Sequence, residues 1–140
     1  MVLQRWQTVL LFISIVLISI FSVSNYATLI SSDGGQTVLS ASSNTGYWIY
    51  NMVIILLLLI SIFQFKNLTC QKILIWLSAA MMGGSAIWGY NYLHRLAAPQ
   101  NMVHLNVSWV LLIVAFGFAL ISIILITRDQ RILKSYDRIR

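Results

Sequence analysis

The chain has no glutamate, and its acidic residues are three aspartates, Asp33, Asp129 and Asp137. Charged residues fill only 9% of 140 positions and hydrophobic ones 59%. Soluble domains carry about a quarter charged residues, so a water-soluble globule is excluded. The lone cysteine, Cys70, cannot form an internal disulfide, and no CxxC supports thiol redox chemistry. No Asp, Glu, Lys, Arg or His falls inside the long apolar runs. Such residues are the usual mark of proton relays and ion pathways, so proton-coupled transport is disfavoured, while a neutral-solute transporter stays open.

What is present is four apolar runs, at about 6–25, 48–65, 73–93 and 106–127. Each approaches the roughly 20 residues needed to cross about 30 Å of hydrocarbon. The first exceeds the 7–15 apolar residues of a secretory signal and is read as a span. The reading is a single integral membrane domain over 1–140: an all-α bundle of four transmembrane helices, with connecting loops 26–47 and 94–105 on the outer side. The aromatic groups Tyr47, Trp48 and Tyr50, and Trp88, Tyr90 and Tyr92, suit headgroup depth.

Charge sets the orientation. Five of nine basic residues lie in the tail 128–140; with Arg5, Lys66 and Lys72 they place eight on one side and only Arg95 on the other. Lys and Arg accumulate on the cytoplasmic side, so both termini are expected inside. The net charge of +6 flanks the spans and suits anionic lipid headgroups, not nucleic acid. In the tail, Ile132, Leu133, Tyr136 and Ile139 recur at helical spacing. That fits an amphipathic helix on the inner leaflet or a straight extension of the fourth span.

The first outer loop is rich in Ser, Thr, Gly and Asn, with Ser32-Asp33-Gly34-Gly35 between β-branched and apolar flanks. Asp-Gly-Gly supplies tight-turn chemistry, and two readings stand: a short β-hairpin against the outer face, or a flexible loop. The second outer loop holds His94, His104 and Pro99. The histidines raise a small redox or ligand-binding protein as one alternative. With no carboxylate or cysteine beside them to complete a site, no metal or cofactor is expected.

The third span carries Ala79, Ala80, Gly83, Gly84, Ser85 and Gly89, and the fourth Ala115 and Ala119. Small residues four apart let helix backbones approach closely. The third span is therefore expected to be the most buried helix of the bundle, approaching a neighbour through Gly83 and Gly84, with the seam of a homo-oligomer as the second reading. The second span has no such residues and should face lipid or a large partner. Asn51, Asn91 and Gln64, near the span ends, are read first as interfacial anchors and second as partners in cross-helix hydrogen bonds.

The two ends carry the specific signal. Gln4-Arg5-Trp6-Gln7-Thr8 enters the first span, and Arg128-Asp129-Gln130-Arg131-Ile132-Leu133-Lys134-Ser135-Tyr136-Asp137-Arg138-Ile139-Arg140 leaves the fourth. This resembles a family of small four-span inner-membrane proteins of Bacteroidota, domain of unknown function 4293, with a QRIQT entry and a KDEKLVRSxDRLR exit. Trp6 stands where isoleucine is usual and Gln130 where an acidic residue is common. The resemblance implies no catalytic residue or cofactor. With both termini on one side, Arg5, Asp129, Arg131, Asp137 and Arg138 are expected on one cytoplasmic face. The functional expectation is a non-enzymatic accessory or scaffold subunit, embedded in the bilayer and bound to another membrane protein.

Overall fold

The computed structural model describes residues 2–31, 34–96 and 102–137, with side chains described over 6–31, 34–96 and 102–135. Helix α1 spans Val2–Val23, strand β1 Asn25–Ile30, strand β2 Gln36–Ser40 and α2 Thr45–Phe63. Helix α3 follows over Leu68–Leu96, then β3 over Met102–Leu105 and α4 over Ser108–Asp137. All four helices are long and apolar enough to cross a membrane.

In α1 the buried residues are Gln7, Leu11, Ser14, Ile15, Ile18, Phe21 and Ser22, the three-and-four spacing of one helical face. The opposite face, Val9, Phe12, Val16 and Ile20, is just as apolar and exposed. A helix apolar all round suits a membrane span. Its serines are accommodated by bonding back one turn: Ser19 Oγ donates to the Ile15 carbonyl and Ser22 Oγ to that of Ile18, both at 2.8 Å.

The helices pack as a ring in chain order, with α4 closing on α1 in the most extensive contact of the fold. Ser14 Oγ donates across that seam to the Ala115 carbonyl at 3.1 Å, beside the fully buried Ala115 and Ala119. This corrects the expectation that the third span is the most buried: 39% of the apolar window of α1 is buried, against 33% for α3. Small residues permit close approach; here the ring closes on the α1–α4 seam. Helix α2 has the least buried window.

The helices also run past the apolar cores. Helix α3 begins five residues before the expected 73 and takes in His94 and Arg95; α4 carries straight through the basic tail to Asp137. Hydropathy marks only what hydrocarbon would cover, whereas helical hydrogen bonding continues while propensity allows.

A second correction concerns strands. The fold is mostly helical, yet one end carries a three-stranded antiparallel sheet in the order β2-β1-β3. β1 and β2 form a hairpin whose turn is closed by Ser31 N–H donating to the Gly35 carbonyl at 2.9 Å, with Gly34 at φ 78°. That backbone region favours glycine. β3 pairs on the other side of β1, with Thr28 opposite His104 and Leu29 opposite Val103. A register shift between Asn25 and Ala27 lets consecutive Tyr26 and Ala27 both be buried, which a regular pleat would not.

Candidate functional site

Polar side chains gather at the two ends of the bundle. Near the sheet, Asn44 caps α2, its Oδ1 accepting from the backbone N–H of Gly46 at 3.1 Å and of Tyr47 at 3.3 Å. The cap fixes the first turn of α2 and aims Tyr47 inward. The Tyr47 hydroxyl donates to the Ser85 carbonyl at 3.2 Å. Ser85 Oγ lies 3.1 Å from the Tyr47 hydroxyl and donates to Asn51 Oδ1 at 2.9 Å. All three residues are buried.

Aromatic rings seal this cluster. Tyr26 and Trp109 meet edge to face at 6.0 Å, Tyr26 and Tyr47 lie at 5.9 Å, and Tyr50 and Trp88 at 5.5 Å. Trp109 Nε1 donates to the Tyr26 carbonyl at 3.0 Å, joining α4 to β1. Gly89 makes the room: a Cβ there would sit 2.9 Å from the Trp109 ring and 3.0 Å from the Tyr47 hydroxyl. Burial, with the Tyr47 and Tyr92 phenols adding to it, pushes the Tyr26 hydroxyl above its ordinary pKa, so it stays neutral. The Tyr26 hydroxyl and Asn51 Nδ2 have no partner among the described residues. The cluster consists of neutral donors and acceptors, which can lock α2 to α3 and orient a tyrosine.

Asn51 corrects the interfacial-anchor reading, because it is fully buried. Its spacing from Ile54 and Leu58, also buried, puts it on the inner face of α2. Asn91 and Gln64 are exposed. Among the small residues, Ala79, Ser85 and Gly89 are buried and Ala80 is exposed. Close approach through Gly83 is not what the structure shows, since a Cβ there meets nothing within 4 Å. At Gly84 it would lie 2.5 Å from the Tyr50 hydroxyl, so the neighbour is a side-chain tip, not a helix backbone.

The two histidines do not share a pocket. His94 is exposed in the last turn of α3, its ring 4.4 Å from that of Tyr90. It borders a crevice of about 190 Å³ with Tyr90, Leu93, Val103 and Leu105. His104 lies between Val103 and Leu105 on β3, so strand alternation turns it to the opposite face. Among the described residues no three His, Cys, Asp or Glu side chains group as metal ligands.

At the other end, where the termini lie, Gln7 Nε2 donates to Asp129 Oδ2 at 2.5 Å. Gln130 Nε2 donates to Thr69 Oγ1 at 3.4 Å. Adjacent residues of α4 thus hold α1 and α3, and Gln7 and Gln71 are buried there. The expected cluster of Arg5 with Asp129 or Asp137 is described only in part: Arg138 and the side chains of Arg5 and Asp137 lie outside the described residues. Asp129 takes a neutral glutamine, and Arg131 is exposed. Gln7 is read from the sequence only as part of the entry motif and given no role, although an amide just inside an apolar run is the available signal.

No curated protein and no solved structure matches the chain. One family, described as a domain of unknown function (DUF4293), matches residues 3–139, a stretch that takes in both tied ends and all four helices, and the chain belongs to it.

Proposed function

We propose that this is a non-enzymatic accessory or scaffold subunit of the bacterial inner membrane, with both termini cytoplasmic, that docks another membrane protein on the projecting end of α4. The observation that carries this is the exposed apolar surface at that end. Leu112, Ala119 and Ile126 are buried and stand seven residues apart, so they face the bundle along one line. The next step on that line is Leu133, which is 52% exposed, with Ile132 beside it at 40%. Helix α4 continues seven residues beyond Gln130, where its tie to α3 ends. The core-facing line thus outruns α3, and the helix of a partner would complete it by ridge-into-groove packing.

Membrane placement rests on the four apolar helices, and orientation on the eight-to-one distribution of basic residues. A photo-crosslinking amino acid at Leu133 in cells should capture one discrete membrane protein, and one at Ile113, in the second turn of α4, should capture none. Leu133→Glu should lose that partner while the protein still inserts and keeps its monodisperse profile in detergent. Crosslinking at Leu133 to nothing but lipid would reject the docking reading.

A further inference from the structure

We propose that Arg128, Arg131 and Lys134 form a binding strip for the phosphate headgroup of acidic phospholipids, with the acyl chains lying along the exposed apolar stripe of α4. The inference rests on the membrane placement proposed above and on which face of α4 these residues occupy. The side chains of α4 that no other helix covers include Val110, Ile113, Ile121 and Ile124. At about 100° per residue, those four and the three basic residues fall within roughly 140° of arc. Ile121, Ile124, Arg128 and Arg131 follow one another at three- and four-residue steps. A lipid-facing surface therefore changes from aliphatic to cationic along one helix, with all three basic side chains exposed.

Axial spacing fits an amphiphile. Arg128 lies about 6 Å beyond Ile124 and Lys134 about 15 Å beyond it, at 1.5 Å per residue. A headgroup layer is roughly 5–7 Å deep, and Arg and Lys stems can reach back along apolar surface to place their charge there. Asp129 does not neutralise the strip, because it points about 100° or more away from Arg128 and Arg131 and accepts the amide of Gln7. A soluble phosphate would use the cations alone; a phospholipid uses the apolar stripe as well, and that continuity favours lipid.

The test is native mass spectrometry of the purified full-length chain equilibrated with equal amounts of phosphatidylglycerol and phosphatidylcholine. Wild type should carry the acidic lipid in at least tenfold preference. Each Arg or Lys changed to Gln should reduce that preference by about two- to fivefold, and the triple variant R128Q/R131Q/K134Q should bring it within twofold of parity. The charge-conserving R128K/R131K variant should retain most of the preference, which separates loss of charge from loss of fold. K66Q/K72Q should keep it too, because those residues lie off the strip. Equal binding of the two lipids by wild type, or preference surviving in the triple variant, overturns the proposal, as does full displacement of bound lipid by millimolar inorganic phosphate. Orientation is read separately: Cys70, exposed in the first turn of α3, should be labelled in inverted vesicles and not in intact cells. Labelling in the reverse sense would refute the cytoplasmic placement and leave the lipid preference of the purified chain to stand or fall alone.

Discussion

Gly83 and Gly89 both belong to the small-residue pattern of the third span, and the structure gives them opposite surroundings. A Cβ at Gly89 would stand 2.9 Å from the Trp109 ring and 3.0 Å from the Tyr47 hydroxyl, both fixed by the sealed aromatic cluster. At Gly83 it would meet open space. Gly89→Ala should therefore destabilise the detergent-solubilised protein by about 1–3 kcal/mol through overpacking. Gly83→Ala should be neutral or stabilising by up to about 1 kcal/mol, the helix-propensity gain of alanine. Thermal unfolding followed by tryptophan fluorescence compares them directly, since Trp109 reports on Gly89. Equal melting temperatures for the two variants would mean that the ring does not pack on Gly89. Asn51 teaches a related lesson: hydropathy placed it near a span end, but depth along a helix says nothing about which face a residue occupies. Only the neighbours Ile54 and Leu58, read with it at helical spacing, point it inward.

Among the elements, the strands divide into a hairpin that the sequence offered as one of two readings and a third strand that it did not offer. The hairpin could be read because Gly34 and Gly35 stand between apolar flanks, and its pairing is local. β3 is only four residues long and contains a histidine, and its partner β1 is more than seventy residues away in sequence. No local signal specifies such a pairing; what selects it is the burial of Ala27 and Leu29 and the docking of Trp109 on β1. The register supplies the test. Thr28 and His104 are direct partners, and antiparallel partners have Cα atoms about 4.5–5.5 Å apart, inside the range a disulfide spans. In a Cys70→Ser background, the pair Thr28→Cys with His104→Cys should oxidise readily. Thr28→Cys with Val103→Cys should not, because adjacent strand residues face opposite ways. Equal cross-linking of both pairs, or of neither, would show that β3 is not held in this register. The helices were legible as four apolar runs; the straight continuation of α4 to Asp137 remained one of two options because the tail pattern suits a helix in either setting.

For the molecule as a whole, the question is what closes the ring between the first helix and the last. Most of the α1–α4 seam is apolar or small, with Ser14 reaching the Ala115 carbonyl near its middle. At the terminal end the closure is polar: Gln7, 1% exposed, gives its amide to Asp129 across 122 residues of sequence. A hydrogen bond to a carboxylate is among the stronger kinds, yet its removal matters chiefly through what is left behind. Gln7→Leu would leave the Asp129 carboxylate beside an apolar side chain, and Asp129→Leu would strand a buried amide. Each single change should cost about 1–3 kcal/mol. The double variant Gln7→Leu/Asp129→Leu removes both polar partners at once and should cost less than the sum of the singles, by about 1–2 kcal/mol of coupling. Arg131→Gln, which changes charge on the same helix without touching this bond, should leave stability within about 0.5 kcal/mol of wild type. Unfolding in a mixed-micelle denaturant series measures the four variants and wild type on one scale. Additive single effects would show that Gln7 and Asp129 do not act as a pair, and the closure of the ring would then rest on the Ala115–Ala119 seam alone.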